Sequence, residues 1–264
     1  MIKEKYHSNL KILSELPSGS PINLVLSGGA EKGVAHLVLL EKLEELGIPI
    51  AHISACSAGS LVAAMYASGM RPQEILYFFK TTELFKYSWI TLKKPGIFNS
   101  YNYSNLLEGK VATTFEALDI PITISTTNLN KGCTQYFNKG ALIKPVLASC
   151  AIPGLFNPIR IEGELYSDGG VLDNFPIDPF KDSKLPLIGS YVDYPSEKTN
   201  TELNSTFKVI SHASKLLMLS SEEHKFFSTT LTVCFPLGEF SGFTMKEVPE
   251  IYNSAKDYLE KSLA

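Results

Sequence analysis

An α/β fold built on a mostly parallel sheet is the class this sequence predicts, on three observations. Strand and helix patterns alternate through the first third, which implies parallel strands joined by packed crossover helices. The alternation resumes after one aromatic-rich interruption and runs to the C-terminus. At 44% hydrophobic and 19% charged, the 264 residues have enough apolar surface to bury a large core. No internal repeat or linker composition divides the chain, so one domain over 1–264 is expected.

The first strand signal is 22–26, Ile-Asn-Leu-Val-Leu, stopped by Gly28 and Gly29. A helical pattern follows over 32–46, with Val34, Leu37, Val38, Leu40 and Leu43 at apolar positions and Gly47 as the stop. A strand over 50–55 runs into Ser57, and 58–68 reads as a small-residue helix closed by Gly69. Residues 72–110 differ. Tyr77, Phe78, Phe79, Phe85, Tyr87, Trp89, Phe98, Tyr101 and Tyr103 are interleaved with Lys80, Lys86, Lys93 and Lys94. Taken as a segment they suggest a lid or cap facing lipid, although most of the rings taken singly fit a core. Strands are expected next over 120–127 and 134–137, joined by an Asn130-Lys131-Gly132 turn. A helix over 141–151 precedes a hairpin over 159–167 that turns at Glu162-Gly163. The remaining pattern is a buried strand over 185–192, a long helix over 204–227, a strand over 231–235 and a closing helix over 246–263.

Composition excludes several classes. The net charge is -3 and no basic block stands out, so nucleic acid is not expected as a partner. Cys56, Cys133, Cys150 and Cys234 stand singly, without a CxxC pair. That pattern argues against a zinc site or a disulfide framework and fits free thiols in a reducing, cytoplasmic setting. Neither a metal nor any other cofactor is expected. The N-terminal residues lack the continuous apolar core of a signal peptide, and no apolar run reaches the ~20 residues of a membrane span. Membrane contact is therefore expected to be peripheral.

Three short segments carry candidate chemistry. Ile53-Ser54-Ala55-Cys56-Ser57-Ala58-Gly59-Ser60 puts a serine at a strand-to-helix turn, the position of a nucleophile elbow. Such a turn lifts the hydroxyl clear of the sheet and aims a helix N-terminus at developing negative charge. Small neighbours are required, and Ala58 and Gly59 supply them. Ala55 stands where the usual pattern has glycine, which is harmless if only size matters and strained if the position needs positive φ. An ordinary tight turn is the competing reading. Ser27-Gly28-Gly29-Ala30-Glu31-Lys32-Gly33 is a second strand-to-helix turn, suited to a phosphate cradle or an oxyanion hole. Full nucleotide signatures are missing, and a serine elbow follows one strand later, which favours the oxyanion hole. Finally, Tyr166-Ser167-Asp168-Gly169-Gly170-Val171-Leu172-Asp173-Asn174-Phe175-Pro176 places an uncrowded carboxylate at a strand end, although Asp-Gly is also a common turn pair. Asp173 competes with Asp168 and could instead cap a helix entering at Pro176.

With the glycine turn first along the chain, the serine elbow second, Ala148-Ser149-Cys150-Ala151-Ile152-Pro153-Gly154-Leu155-Phe156 after it and the Asp-Gly-Gly last, the sequence resembles the patatin-like phospholipase family over about 22–192. The resemblance implies a three-layer sandwich with a central mostly parallel sheet, and hydrolysis of fatty-acyl esters of lipids through an acyl-enzyme. It implies Ser57 as nucleophile, Asp168 as base, and backbone N–H groups of Gly28, Gly29 and Ala30 as oxyanion hole. Lys32, Gly33, Ala55, Gly59, Gly169 and Gly170 match supporting positions. Ala30 and Ala55 depart from family glycines.

Two rivals remain. A Ser-His-Asp esterase would need His212 or His224 after Asp168, but both fall in helical sequence. A non-catalytic lipid-binding protein of the same fold would draw its support from Ala30 and Ala55.

Overall fold

β1 (Ile22–Leu26) is buried at all five positions and has a parallel strand on each side. Burial on both faces is why its sequence is a nearly unbroken apolar run rather than an alternating one. The structure, a computed structural model, describes residues 10–82 and 104–263. The other strands are β2 (Ile50–Cys56), β3 (Ile122–Asn128), β4 (Cys133–Phe137), β5 (Ile159–Ile161), β6 (Glu164–Asp168), β7 (Leu187–Tyr191) and β8 (Leu231–Cys234). Hydrogen bonds connect them along the path β5-β6-β3-β2-β1-β7-β8, with β4 paired to β3 off that path. The β3-β2-β1-β7-β8 run is parallel; β4, β5 and β6 are antiparallel.

Eight α-helices are described: α1 (Ile12–Glu15), α2 (Ala35–Glu45), α3 (Ala58–Ala67), α4 (Pro72–Thr81), α5 (Ser104–Leu107), α6 (Ile143–Ser149), α7 (Thr206–Glu222) and α8 (Val248–Leu263). The period of two along β1 divides its side chains between two layers. Leu24 and Leu26 join the large apolar cluster with residues of α2, α3, α4, α6 and α8. Val25 points the other way, to Phe175, Phe180, Tyr191, Leu219 and Phe226. The expected three-layer arrangement around a mostly parallel sheet is what the structure has.

Strand boundaries agree with expectation to within a residue or two, and the hairpin turns at Glu162 and Gly163, both with positive φ. Three helical regions differ. The helix after the glycine turn opens with a 3-10 segment, Ala30–Val34, because the tight exit from Gly29 favours an i to i+3 bond from the Lys32 N–H to the Gly29 carbonyl (3.1 Å). The long helix expected over 204–227 stops at Glu222 and continues as a 3-10 turn, Glu223–Ser228. Helix α4 was hidden within the aromatic stretch, although Pro72 at its first position and Glu74, which accepts from the Arg71 N–H at 2.8 Å, are ordinary start signals. Most of the expected lid lies outside the described residues, including Phe85, Lys86, Tyr87, Trp89, Lys93, Lys94, Phe98, Tyr101 and Tyr103. Of its described rings, Phe78 and Phe79 are buried and Tyr77 is exposed.

The topology around β3 positions the site. β4 pairs with residues 124–128 of β3, so it takes one edge alone. β2 pairs with residues 122–125 and β6 with residues 126–128, so both lie on the other edge. One runs parallel to β3 and the other antiparallel, so their C-terminal ends meet head-on. Cys56 sits opposite Ser125, and Asp168 opposite Thr126. The chain leaving β2 and the chain leaving β6 are thereby brought face to face.

Candidate active site

Ser57 follows β2 immediately and is the N-cap of α3, with φ 50° and ψ -124°. A non-glycine residue holds such a conformation only where its surroundings enforce it. Its N–H donates to Ser149 Oγ (2.7 Å), and that hydroxyl donates in turn to the Ser125 carbonyl (2.7 Å). The Ser57 carbonyl accepts from the Ser60 N–H (2.8 Å) and the Ser60 hydroxyl (2.6 Å). These bonds fix the elbow from both sides and leave the Ser57 hydroxyl to one partner: it donates to Asp168 Oδ2 at 2.7 Å.

Asp168 is anchored as firmly. Its carbonyl accepts from the Thr127 hydroxyl (2.9 Å), and its N–H donates to the Ala151 carbonyl (3.0 Å). This accounts for the polar run at the C-terminal end of β3, where Ser125, Thr126 and Thr127 are buried yet bonded. Oδ1 accepts from the Gly170 N–H (2.8 Å) and from the Cys56 thiol (3.7 Å). Burial raises the Asp168 carboxyl to about 6, against the lowering effect of the Ser57, Gly170 and Cys56 donors. Burial also pushes the Cys56 thiol well up and Cys150 to about 12, so both are neutral groups near the turn.

The glycine turn faces the same point. A Cβ on Gly28 would lie 2.9 Å from Ser57 Cβ and would overlap Asn174 Oδ1. The Gly28 N–H is already engaged: it donates to Asn174 Oδ1 at 3.1 Å. Among the described residues no acceptor takes the N–H of Gly29 or Ala30. The expected three donors are therefore two free ones and one committed to Asn174. Ala30 has φ 51°, so here alanine occupies the left-handed region that glycine favours. Ala55 lies inside β2 between Leu26 and Ile124 and has no such strain, so its methyl group matters only through size.

The glycines at the supporting positions stand where a side chain would meet close neighbours. A Cβ on Gly33 would lie 2.7 Å from Ala58 Cβ, and one on Gly169 2.5 Å from the Ser125 carbonyl oxygen. On Gly59 it would lie 2.5 Å from the Leu26 carbonyl oxygen and 2.6 Å from that of Ser27. Because backbone cannot rotate aside, Gly59→Ala is expected to destabilise the fold by about 1–3 kcal/mol, measured by urea denaturation. An unchanged midpoint would contradict this packing. Lys32 does not reach the serine. It is 1% exposed and pairs with Asp193 (2.9 Å), which also binds Lys215 (3.1 Å).

The competing residues lie elsewhere. Asp173 accepts from Tyr136 OH (2.5 Å) and pairs with Lys225 (2.6 Å), so it caps no helix at Pro176. His212 and His224 make no hydrogen bond to Ser57 or Asp168 among the described residues. His36 is wholly buried between Ser190 Oγ and the Ser27 carbonyl, and burial lowers it to about 4. Sequence reasoning missed Ser149, Asn174 and Asp193. Ser149 and Asn174 lay within quoted segments but signalled nothing by type; their roles depend on contacts across 92 and 146 positions.

Two cavities meet at Ser57. A narrow apolar pocket of about 70 Å³ is lined by Ala58, Leu61, Phe78, Phe79, Leu107 and Val146. A wider cleft of about 570 Å³ runs past Gly29, Asp168, Asp193, Ser214 and Lys215. Among the described residues no group of three or more His, Cys, Asp or Glu is placed to hold a metal ion.

The family model for patatin-like phospholipase matches residues 24–181, more than half of the chain, and takes in both turns and the Asp168 segment. The chain belongs to the patatin-like phospholipase family. Lysophospholipase NTE1 of Cryptococcus neoformans is 31% identical over 179 residues, covering 62% of this chain and 11% of that protein. An uncharacterized NTE family protein of Mycobacterium tuberculosis (strain H37Rv) is 32% identical over 169 residues, covering 61% of this chain and 46% of that protein. The chain thus spans less than half the length of these curated relatives. Among solved structures, VipD from Legionella pneumophila aligns with a TM-score of 0.53 at 15% identity, covering 94% of this chain and 67% of that one. At that identity the likeness is one of fold, and it is the patatin-like fold that the sheet and its helices describe.

Proposed function

We propose that the chain is a lipid acyl hydrolase that works through a Ser57–Asp168 dyad and an acyl-enzyme, as a single catalytic domain. The observation that carries this reading is the 2.7 Å bond from the Ser57 hydroxyl directly to Asp168, with no histidine between them. Family membership and the lysophospholipase name of NTE1 support a lipid ester as substrate. Ser57 Oγ attacks the acyl carbonyl carbon as its proton passes to Asp168 Oδ2. The carbonyl oxygen takes up negative charge and accepts from the Gly29 and Ala30 N–H groups, at the N-terminal end of α3. The tetrahedral species collapses, the C–O bond to the alcohol breaks, and Asp168 returns the proton to the leaving oxygen. Water, deprotonated by the same carboxylate, then releases the fatty acid and restores Ser57. A carboxylate is a weak base for an alcohol, and burial that lifts Asp168 to about 6 brings it closer to that task. Acyl chain in the apolar pocket and leaving group in the wide cleft is the orientation that the two linings favour.

Labelling with a fluorophosphonate, followed by peptide mapping, tests the reading. Label on Ser57 that is sharply slowed in Asp168→Asn is expected; folded protein that takes no label there would sink it. A second readout is pH. The base must be ionised, so kcat/KM should fall about tenfold per unit below roughly pH 6. A profile flat from pH 8 to 5 would remove Asp168 from the role.

A further inference from the structure

We propose that α7 is the surface by which this chain docks on an anionic lipid bilayer, with the Ser57 cleft opening onto the membrane. The proposal rests on the lipid-ester reading above. α7 has seventeen residues, yet among its described side chains only Leu219 and Glu222 are buried. Val209 (48%), Ile210 (59%), Leu216 (48%) and Leu217 (74%) are exposed. Their spacing of one, seven and eight places all four on one face of the helix. Exposed apolar residues scattered singly need no account, but a contiguous face of large ones does.

Location and charge identify the occupant. Ile210, Leu217 and Met218 line the rim of the wide cleft, and exposed Val171, just beyond Asp168, lies on the same rim. A protein seated on this face would cover the cleft mouth, whereas a bilayer would present substrate to it. Residues 206–221 carry Lys208 and Lys215, the latter paired with Asp193, and no Asp or Glu, which suits a negatively charged surface. Among the described residues no helix is long and apolar enough to cross a membrane, so α7 would lie in the interface plane. The aromatic stretch over 72–110, expected from sequence to be the lipid-facing element, is not needed for this contact.

The test uses Val209→Glu with Leu216→Glu, two exposed positions that do not line the cleft. Vesicles of three parts phosphatidylcholine to one part phosphatidylserine are sedimented with the wild type and the double variant. Hydrolysis of a water-soluble butyrate ester is followed in parallel. The wild type should pellet with vesicles, and the variant's bound fraction should fall about tenfold or more. Soluble-ester turnover should be equal in the two, which also shows that the variant is folded. Val209→Ser with Leu216→Ser should fall between them. Wild type left in the supernatant, or a double variant that pellets equally, would overturn the proposal. So would a wild-type dimer in sedimentation velocity that the double variant breaks, because the face would then belong to a second copy. Failure of the hydrolase reading is separately visible: neither protein would turn over the soluble ester, while the vesicle measurement would stand.

Discussion

Asp168→Asn is expected to yield a protein that is more stable than the wild type above pH 6 and nearly inactive. The amide matches the carboxylate in shape and can still accept from the Gly170 N–H, while its NH2 can donate to the Ser57 hydroxyl. What it lacks is the capacity to take the serine proton, so kcat should fall by about 10²–10⁴-fold. The stability gain follows from linkage. Folding raises the Asp168 carboxyl from 3.8 to about 6, chiefly by removing it from water. The folded state therefore holds this proton more tightly than the unfolded state. Stability from this group is fully present below the unfolded value, falls as pH rises through the window between the two, and stays lower above it. Two pH units correspond to about 3 kcal/mol, the upper bound on what the neutral amide would recover at pH 8. Urea denaturation of both proteins at pH 4 and pH 8 gives the answer. A variant no more stable than wild type at pH 8 would mean that the buried carboxylate is better solvated than its surroundings indicate.

The second large effect is expected at Asp193, and it is asymmetric. Asp193 bonds both Lys32, which is almost wholly buried, and Lys215. Burial lowers the Lys32 ammonium, and the Asp193 carboxylate opposes that shift. Asp193→Asn would leave two ammonium groups converging with no counter-charge, at a cost of about 3–5 kcal/mol. Lys32→Met removes the costly buried charge and leaves Asp193 paired with Lys215, so it should cost less than about 2 kcal/mol. Equal losses in denaturant midpoints would show that Lys32, not the carboxylate, organises the cluster. Lys32 pairs with Asp193 and does not reach the serine. A residue that only braces the turn should alter stability before it alters the rate per folded molecule.

Local chemistry was legible in the sequence wherever it was dictated locally. The apolar run of β1, the small residues around Ser57 and the Gly-Gly after Asp168 each answer to a constraint from neighbours in the chain. The meeting of Ser57 with Asp168 was inferable only through family resemblance, because it depends on β2 and β6 sharing one edge of β3, a pairing that no short window encodes. The same holds for Asn174, whose side chain withdraws the Gly28 N–H from the expected trio of donors. Sequence also raised the question of backbone strain at Ala55, whereas the left-handed alanine is Ala30. Ala55 is flanked on both sides by paired strand, which keeps it extended; Ala30 sits where the chain must turn sharply out of β1.

The two unequal cavities that meet at Ser57 have a consequence for the second half of the reaction. On the proposed mechanism, with the acyl group in the narrow pocket, departure of the alcohol would empty only the wide cleft, and whatever attacks the acyl-enzyme would arrive through that vacated space. A cleft of about 570 Å³ admits far more than a water molecule. Glycerol or a short-chain alcohol should therefore compete with water for the acyl group. The ratio of transferred ester to free fatty acid would rise in proportion to alcohol concentration, making the partition between transfer and hydrolysis a matter of what the surrounding medium supplies.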